Sequence, residues 1–245
     1  MNCIPRRRFC ALTLAAVSPL SVQAARASTP IPVAHSEALD AVFVSAVLNL
    51  IGEASGLSFD PHAVSFARVL RMAEQGEAIG FGISPTAARR EQLTFSRALF
   101  TGAVWAVSRR DAGIDARDVE TLRGKVMCQS RQASYDAETA DLAQIGMDAQ
   151  QISGDLAHRV RALVGGHCDV LLVTSRNASV EALRVRLRSV DADMAALRLP
   201  HRPLLEEKVH LGVARNSPLA APLLRVDAAI QARRRALQRL VSQLD

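Results

Sequence analysis

Short apolar segments alternate along the chain with longer segments in which apolar residues recur every three or four positions. In the first part of the chain the strand-like segments are 31–35, 57–64, 78–84 and 102–108. Helical periodicity covers 37–53 and 65–75, and Gly56 and Gly76 stand where those helices would end. Between the third and fourth strands, Arg89 and Arg90 follow Pro85 on an expected loop. Alternating strands and helices are typical of α/β domains.

The alternation restarts after a polar connector at 109–124. Strands are predicted at 125–129, 169–173, 194–199 and 209–214, with helices at 135–145, 156–163, 180–188 and within 218–244. Two α/β units in series, followed by a tail, predict a two-lobed protein whose tail returns to the first lobe. Ligand sites in such sheets lie at the carboxyl ends of strands.

Residues 1–27 have the pattern of a cleaved export signal, with a basic start, an apolar middle and small residues near the end. The run Arg6-Arg7-Arg8-Phe9 is similar to a twin-arginine signal. The segment holds four of the 30 basic residues and none of the 24 acidic ones, which leaves 26 basic against 24 acidic residues, a net charge of +2. That balance argues against a nucleic-acid partner, and no apolar run is long enough to span a membrane.

Cofactor and metal motifs are missing from the pattern. The six histidines show no metal-ligand spacing, and no phosphate-binding loop, dinucleotide fingerprint or nucleophile elbow is present, so no metal, cofactor or hydrolase activity is expected. Cys128 and Cys168 are the cysteines that follow the signal. Two separate buried thiols are the favoured interpretation, and a disulfide stays open because connectivity does not follow from sequence.

The stretch 70–100, LRMAEQGEAIGFGISPTAARREQLTFSRALF, resembles the signature of bacterial extracellular solute-binding proteins of the amino-acid-binding family 3. The matching residues, at the spacing of that family, are Gly76, Thr86, Arg89, Phe95 and Ser96. Segments 122–125, 161–173 and 209–224 resemble later elements of the family in the same order, so the resemblance covers about 31–235.

The resemblance implies a type II periplasmic binding protein fold, in which each lobe is a parallel or mixed sheet flanked by helices and hinge strands join the lobes. It divides the chain into an export signal at 1–27, a first lobe at 28–108 plus 204–245, and a second lobe at 109–203. It also implies a monomer that does not span the membrane and that closes its lobes around a ligand.

The resemblance assigns ligand-binding roles in both lobes. Arg89 aligns with the arginine that holds the ligand carboxylate, for which a planar guanidinium is suited, and Arg90 is expected to face solvent. The other candidates are Ser84 beside the same carboxylate, Phe66 as a pocket wall, His35 as a further donor, Arg131, Gln132 and Ser134 at the start of a helix in the second lobe, and Thr174 at the end of a strand. Phe66 is almost as well explained as a core residue, and His35 equally well as an exposed strand end.

Departures from the family indicate the kind of ligand. Family members that bind α-amino acids carry an aspartate at the position of Thr174, where it pairs with the ammonium group. Arg131 stands where a small residue is usual, and the loop before the first helix is short. Because an unpaired ammonium beside an arginine is costly to bury, a small organic anion is preferred over an amino-acid-like solute.

The resulting prediction is a periplasmic solute-binding protein that delivers a small carboxylate-bearing ligand to an inner-membrane ABC permease. One alternative is a ligand-poor version of the fold that acts as a periplasmic partner protein. Another is an enzyme similar to cyclohexadienyl dehydratase, with Glu77 or His35 as the candidate acid or base.

Overall fold

The computed structural model describes residues 29–114, 119–130, 148–152 and 154–243. The predicted export signal, the helix expected at 135–145 and the candidates Arg131, Gln132 and Ser134 lie outside the described residues. Among the described residues, no helix is both long and apolar enough to cross a membrane. The same residues bring together no cluster of three or more metal-ligating side chains.

Ten strands and seven α-helices are found in the described part of the chain. The strands are β1 (Ile31–Ser36), β2 (Phe59–Val64), β3 (Ile79–Ile83), β4 (Leu93–Phe95), β5 (Phe100–Arg109), β6 (Val126–Ser130), β7 (Asp148–Ile152), β8 (Val170–Ser175), β9 (Leu197–Arg198) and β10 (Leu205–Ala214). The helices are α1 (Ala41–Ser55), α2 (Phe66–Gln75), α3 (Ala87–Gln92), α4 (Leu156–Val164), α5 (Val180–Arg188), α6 (Leu223–Ala232) and α7 (Arg234–Gln243).

The strands form one mixed sheet with the order β2-β1-β3-β10-β5-β8-β6-β7, while β4 pairs with β10 and β9 with β5. β1 is parallel to β2 and β3, and β6 is parallel to β7 and β8. β5 and β10 run antiparallel to each other and to their outer neighbours. The α/β class with a mixed sheet flanked by helices is therefore as the sequence predicts.

β5 and β10 join two halves of the sheet. Residues 210–214 of β10 pair with β3 and β4, whereas residues 205–209 pair with β5. β5 then pairs through residues 103–108 with β8. We call β2, β1, β3, β4 and the end of β10 the first half of the sheet, and β8, β6, β7 and β9 the second half.

Each half has its own apolar core. In the first half, α1, α6 and α7 pack over one face around Phe43, Phe81 and Val226. α2 covers a second cluster, which includes Val69 and Ile83. In the second half, α4 and α5 pack with Trp105 and Leu171, and a further cluster contains Leu122 and Met127.

A disulfide joins Cys128 of β6 to Cys168, whose Cα atoms are 5.7 Å apart. The expectation of two separate thiols is therefore wrong. The reason is strand order: β6 lies beside β8, with Cys128 opposite Leu171, and Cys168 comes just before β8 begins. Both cysteines are buried, and nothing in their sequence spacing indicates that these two strands are neighbours.

Local capping sets the ends of the first helices. α1 begins at Ala41 and not at residue 37, because the Asp40 carboxylate accepts a hydrogen bond from the Val42 amide at 2.8 Å and caps the helix. α2 ends at Gly76, whose φ of 72° is a conformation that favours glycine. The loop expected around Arg89 is wrong, since Thr86 caps the short helix α3 there.

Candidate functional site

A cavity of about 200 Å³ lies at the carboxyl ends of β1, β3 and β8, where the two halves of the sheet meet. We call it the central cavity. An adjoining chamber of about 450 Å³ shares with it the side chains Leu39, Leu156, Arg159, Arg176 and Arg186. The position agrees with the expectation that sites in such sheets lie at the ends of parallel strands.

The first wall of the central cavity comes from the first half of the sheet and from β5. It consists mainly of apolar groups and hydroxyls: Ser36, Leu39, Phe66, Phe81, Gly82, Ser84 and Phe100. Gly82 has a φ of 85°, a backbone conformation that side chains rarely adopt, and it turns the chain at the cavity edge. Phe100 packs edge-on against the buried ring of Phe43, with 5.5 Å between centroids.

Arg89 lies immediately behind the first wall. Its Nη1 donates to the backbone carbonyl of Ser84 at 3.0 Å, and its guanidinium carbon lies 5.9 Å from the centroid of the Phe66 ring. Ser84 and Phe66 both line the central cavity, whereas Arg89 itself does not. Three of the candidates from sequence are thus brought together in one cluster. Phe66 also packs on the α2 core, so its two interpretations hold at once.

His35 is buried beside this wall. The residue is 3% exposed, and its Nδ1 lies 3.1 Å from the backbone oxygen of Ser36. The interpretation as an exposed strand end is therefore wrong. His35 does not line the central cavity, although the next residue, Ser36, does.

The second wall of the central cavity comes from the second half of the sheet and its helices. Its polar members are Arg159, Thr174, Ser175, Arg176 and Arg186. Arg159 lies on α4, Arg186 lies on α5, and Arg176 follows β8. The three arginines are partly buried, and Thr174 is exposed at the end of its strand.

Arg176 connects the second wall to the start of α1. Its Nη2 lies 3.9 Å from a carboxylate oxygen of Asp40, and its guanidinium stacks 4.4 Å from the centroid of the Phe43 ring. The Arg176 side chain is 17% exposed. A guanidinium held between a carboxylate and an aromatic face is fixed in direction, so one of its edges has a defined position at the cavity.

Trp105 supports the second wall from behind. Its indole Nε1 donates to the Ser175 hydroxyl at 2.7 Å, and that hydroxyl donates to the carbonyl of Asn177 at 2.5 Å. Trp105 is fully buried. The two hydrogen bonds fix the backbone on either side of Arg176.

Among the described residues, one carboxylate lines the central cavity, that of Glu207 on β10. The candidate acids and bases of the enzymatic alternative, Glu77 and His35, do not line it. Sequence reasoning identified Ser84, Phe66 and Thr174 but missed Glu207 and the three arginines of the second wall. Arg176 had a usable signal, since it follows the end of a predicted strand, whereas Arg159 and Arg186 sit inside helices with nothing to set them apart.

Comparison with known proteins finds solved structures of the same fold. No protein-family model matches the chain, and no curated protein matches it. Among solved structures, the amino-acid ABC transporter substrate-binding protein AbpA from Streptococcus pneumoniae, bound to L-arginine, aligns with a TM-score of 0.65 at 14% identity and covers 87% of this chain and 93% of its own.

Two further solved structures are a ligand-binding core and a sensor domain. The GluR0 ligand-binding core from Nostoc punctiforme, in complex with L-glutamate, has a TM-score of 0.65 at 18% identity, with 87% of this chain and 98% of that chain covered. A histidine kinase sensor domain with similarity to periplasmic binding proteins has a TM-score of 0.69 at 17% identity, with coverage of 87% and 95%. At these identities the likeness establishes the fold. The periplasmic-binding-protein fold that the sequence predicts is therefore confirmed.

Proposed function

We propose that this chain is an exported, periplasmic solute-binding protein that captures a small carboxylate-bearing ligand in the central cavity and delivers it to an ABC permease. The observation that carries the proposal is a cavity at the junction of the two sheet halves, lined by apolar groups on one side and by arginines on the other. We further propose that the halves act as lobes, with residues 28–108 and 204–245 in the first and 109–203 in the second.

The carboxylate is assigned to the region of Ser84 and Arg89. Ser84 lines the cavity, and the Arg89 guanidinium donates a hydrogen bond to the Ser84 backbone carbonyl. A ligand carboxylate would be a stronger, charge-assisted partner for this guanidinium than the backbone carbonyl is. Phe66 lies along the guanidinium and restricts its movement.

Thr174 supports an anion without an ammonium group. It lines the cavity at the end of β8, at the position where the resemblance places the aspartate that pairs with the ammonium of an amino acid. Glu207 on β10 supports the second candidate, an amino-acid-like solute, because it places one carboxylate on the same cavity. The two candidates differ in a single chemical group, so matched ligands separate them.

The test is the thermal stability of residues 28–245, refolded to remove bound ligand, against matched carboxylates and amino acids. A ligand at 100 times its dissociation constant adds about 2.7 kcal/mol, which raises Tm by roughly 5–10 °C for a chain of this size. We expect the Arg89→Gln variant to lose this shift. Arg90→Gln is the matched control, because Arg90 lies next to it on α3 and is exposed.

Three outcomes of this test distinguish an organic-anion receptor, an amino-acid receptor and a partner protein. Stabilisation by carboxylates alone supports the organic-anion receptor. Stabilisation by amino acids alone overturns our interpretation of Thr174 and favours Glu207 as an ammonium partner. A folded protein that responds to no member of the panel contradicts solute capture and favours the role of a periplasmic partner protein.

A further inference from the structure

Large apolar side chains from both halves of the sheet line the central cavity. The first wall contributes three phenylalanines, and β10 contributes a valine. The second wall adds a leucine from α4 and a valine from β8 beside its arginines. These apolar side chains are Phe66, Phe81, Phe100, Leu156, Val173 and Val209. Pockets for small molecules are mostly apolar and hold a few polar groups that fix orientation, so this lining favours a ligand with an apolar body.

Part of this apolar lining is still accessible to solvent. Phe66, Phe100 and Val209 are only partly buried, and so is Leu39, which lines both the cavity and the adjoining chamber. In contrast, Phe43, which packs against Phe100, is fully buried. An apolar ligand that covers such side chains binds favourably in proportion to the apolar area that it removes from water.

The charged groups that line the central cavity and the adjoining chamber are balanced in number. The described lining of the two holds three guanidiniums and three carboxylates, those of Arg159, Arg176, Arg186, Asp40, Asp155 and Glu207. Arg176 lies 3.9 Å from Asp40, and the Arg159 Nε donates to the Asp155 backbone carbonyl at 3.3 Å. Arg186 and Glu207 also interact within the protein. A second negative charge on the ligand would therefore compete with partners that the arginines already have.

The volume of the central cavity limits the size of the apolar body. An apolar cavity of about 150 Å³ can hold a benzene molecule. The central cavity, at about 200 Å³, has room for one six-membered ring together with a carboxyl group. A second ring would extend into the adjoining chamber, where Asp40 and Asp155 lie.

We propose that the ligand is a monocarboxylate whose apolar body has the size of one six-membered ring. Its carboxylate lies at Ser84 and Arg89, and its body lies among the apolar side chains of the two walls. A polar body of the same size would lose its hydrogen bonds to water against this lining without replacing them. This inference rests on the proposed function and adds the substrate class.

The experiment compares benzoate with three matched ligands on the unmodified chain. Acetate lacks the ring, benzamide lacks the charge, and terephthalate carries a second carboxylate. We expect benzoate to bind on the order of 10- to 100-fold more tightly than acetate, because the ring covers apolar lining. It should bind on the order of tenfold more tightly than benzamide or terephthalate. Isothermal titration calorimetry measures the affinities, and a negative heat-capacity change for benzoate marks the burial of apolar surface.

Two variants add polarity to the lining with little change in side-chain size. Val209→Thr and Leu39→Asn each alter a partly buried residue of the cavity lining. We expect each to weaken benzoate binding on the order of tenfold, while acetate affinity changes little. Val42→Thr and Leu224→Asn are the matched controls, because these residues are 69% and 79% exposed and do not line the cavity. The Tm of each variant without ligand shows that its fold is retained.

Equal affinity for benzoate and acetate overturns the apolar body and leaves a carboxylate receptor intact. Terephthalate that binds as tightly as benzoate, or more tightly, overturns the single charge. A preference for benzoate over acetate that survives both Val209→Thr and Leu39→Asn overturns the role of this lining. Binding by other carboxylates of the wider panel without benzoate overturns the inference alone. Equal affinity for benzoate and benzamide, or silence of all four ligands and of the wider carboxylate and amino-acid panel, overturns the inference and the proposed function together.

Discussion

The two walls of the central cavity are built in different ways. The guanidinium behind the first wall, that of Arg89, belongs to a residue five positions from Ser84, whose carbonyl it contacts, so one short segment of chain brings these two residues together. The second wall collects Arg159, Arg176 and Arg186 from two helices and a strand end. The first arrangement is local in sequence, whereas the second exists only because β8 lies beside β5 and the two helices pack over the same sheet.

The walls also differ in what holds them in place. The first wall rests on a large apolar core, with Phe81 and Phe100 in contact with the cluster around Phe43. The second half contains in addition a disulfide between β6 and the chain just before β8, and the hydrogen bond of Trp105 to Ser175. Both walls therefore rest on the buried apolar area of their own half, and the disulfide and the Trp105 hydrogen bond are additional constraints on the second half.

Removal of the disulfide should affect the second half of the sheet most. We expect the double variant Cys128→Ala, Cys168→Ala to lose about 2–4 kcal/mol, because the link closes a loop with a sequence separation of 40. The corresponding fall in Tm is roughly 4–16 °C. Hydrogen exchange should show amides of β6 and β8 losing protection while those of β1 and β3 keep it.

If amides in both halves lose hydrogen-exchange protection equally, the proposed difference between the halves is wrong. It would mean that the halves unfold as one cooperative unit, and that the apolar core of the first half gives no independent stability. The control is the unmodified chain under the same oxidising conditions, in which both buried cysteines remain paired.

Much of the first wall could be predicted from sequence, because the features that identify it lie close together along the chain. The strand at 78–84, the glycine that ends α2 and the spacing from Ser84 to Arg89 are all readable along one segment. What failed there was of short range: the cap at Asp40 moved the start of α1 by a few residues, and the cap at Thr86 begins a short helix, α3, where a loop was predicted. The helix at 180–188, in the second half, matched its predicted bounds.

Arg159 and Arg186 of the second wall were not predicted, because strand order and helix packing are tertiary properties. The pairing of β6 with β8 creates the disulfide, and the packing of α4 and α5 on that sheet brings Arg159 and Arg186 to one cavity. Arginines inside amphipathic helices look like ordinary surface residues in sequence. Their spacing of 27 positions carries no periodic signal that links them.

Removal of one serine hydroxyl from each wall tests the same difference in stability, with a smaller expected effect. Ser175→Ala removes the acceptor of the fully buried Trp105 Nε1, and an unsatisfied buried donor costs about 1–3 kcal/mol. Ser84→Ala is the matched control on the first wall, because Arg89 uses the Ser84 backbone carbonyl, which the substitution keeps. We expect urea unfolding to show a clear loss for Ser175→Ala and a loss below 1 kcal/mol for Ser84→Ala.

If the two serine variants lose equal stability, the polar support assigned to the second wall is not specific to it. Trp105 fluorescence adds an independent readout, since loss of the Ser175 partner changes the environment of the single tryptophan. The spectrum of Ser84→Ala should stay that of the unmodified chain.

The smallest expected effect concerns Asp40, which touches both walls by capping α1 and approaching Arg176. Asp40→Ala removes the cap and should cost about 1 kcal/mol, whereas Asp40→Ser keeps a capping oxygen. The contact with Arg176 spans 3.9 Å and the Asp40 side chain is 43% exposed, so its loss in Asp40→Ser should cost only a few tenths of a kcal/mol. Urea unfolding of the two variants measures the difference.

An equal loss in both would show that the ion pair, and not the cap, is the main contribution of Asp40. The two walls would then be coupled through Arg176 even without ligand, and the contrast between a locally built wall and a tertiary one would extend to how the cavity closes.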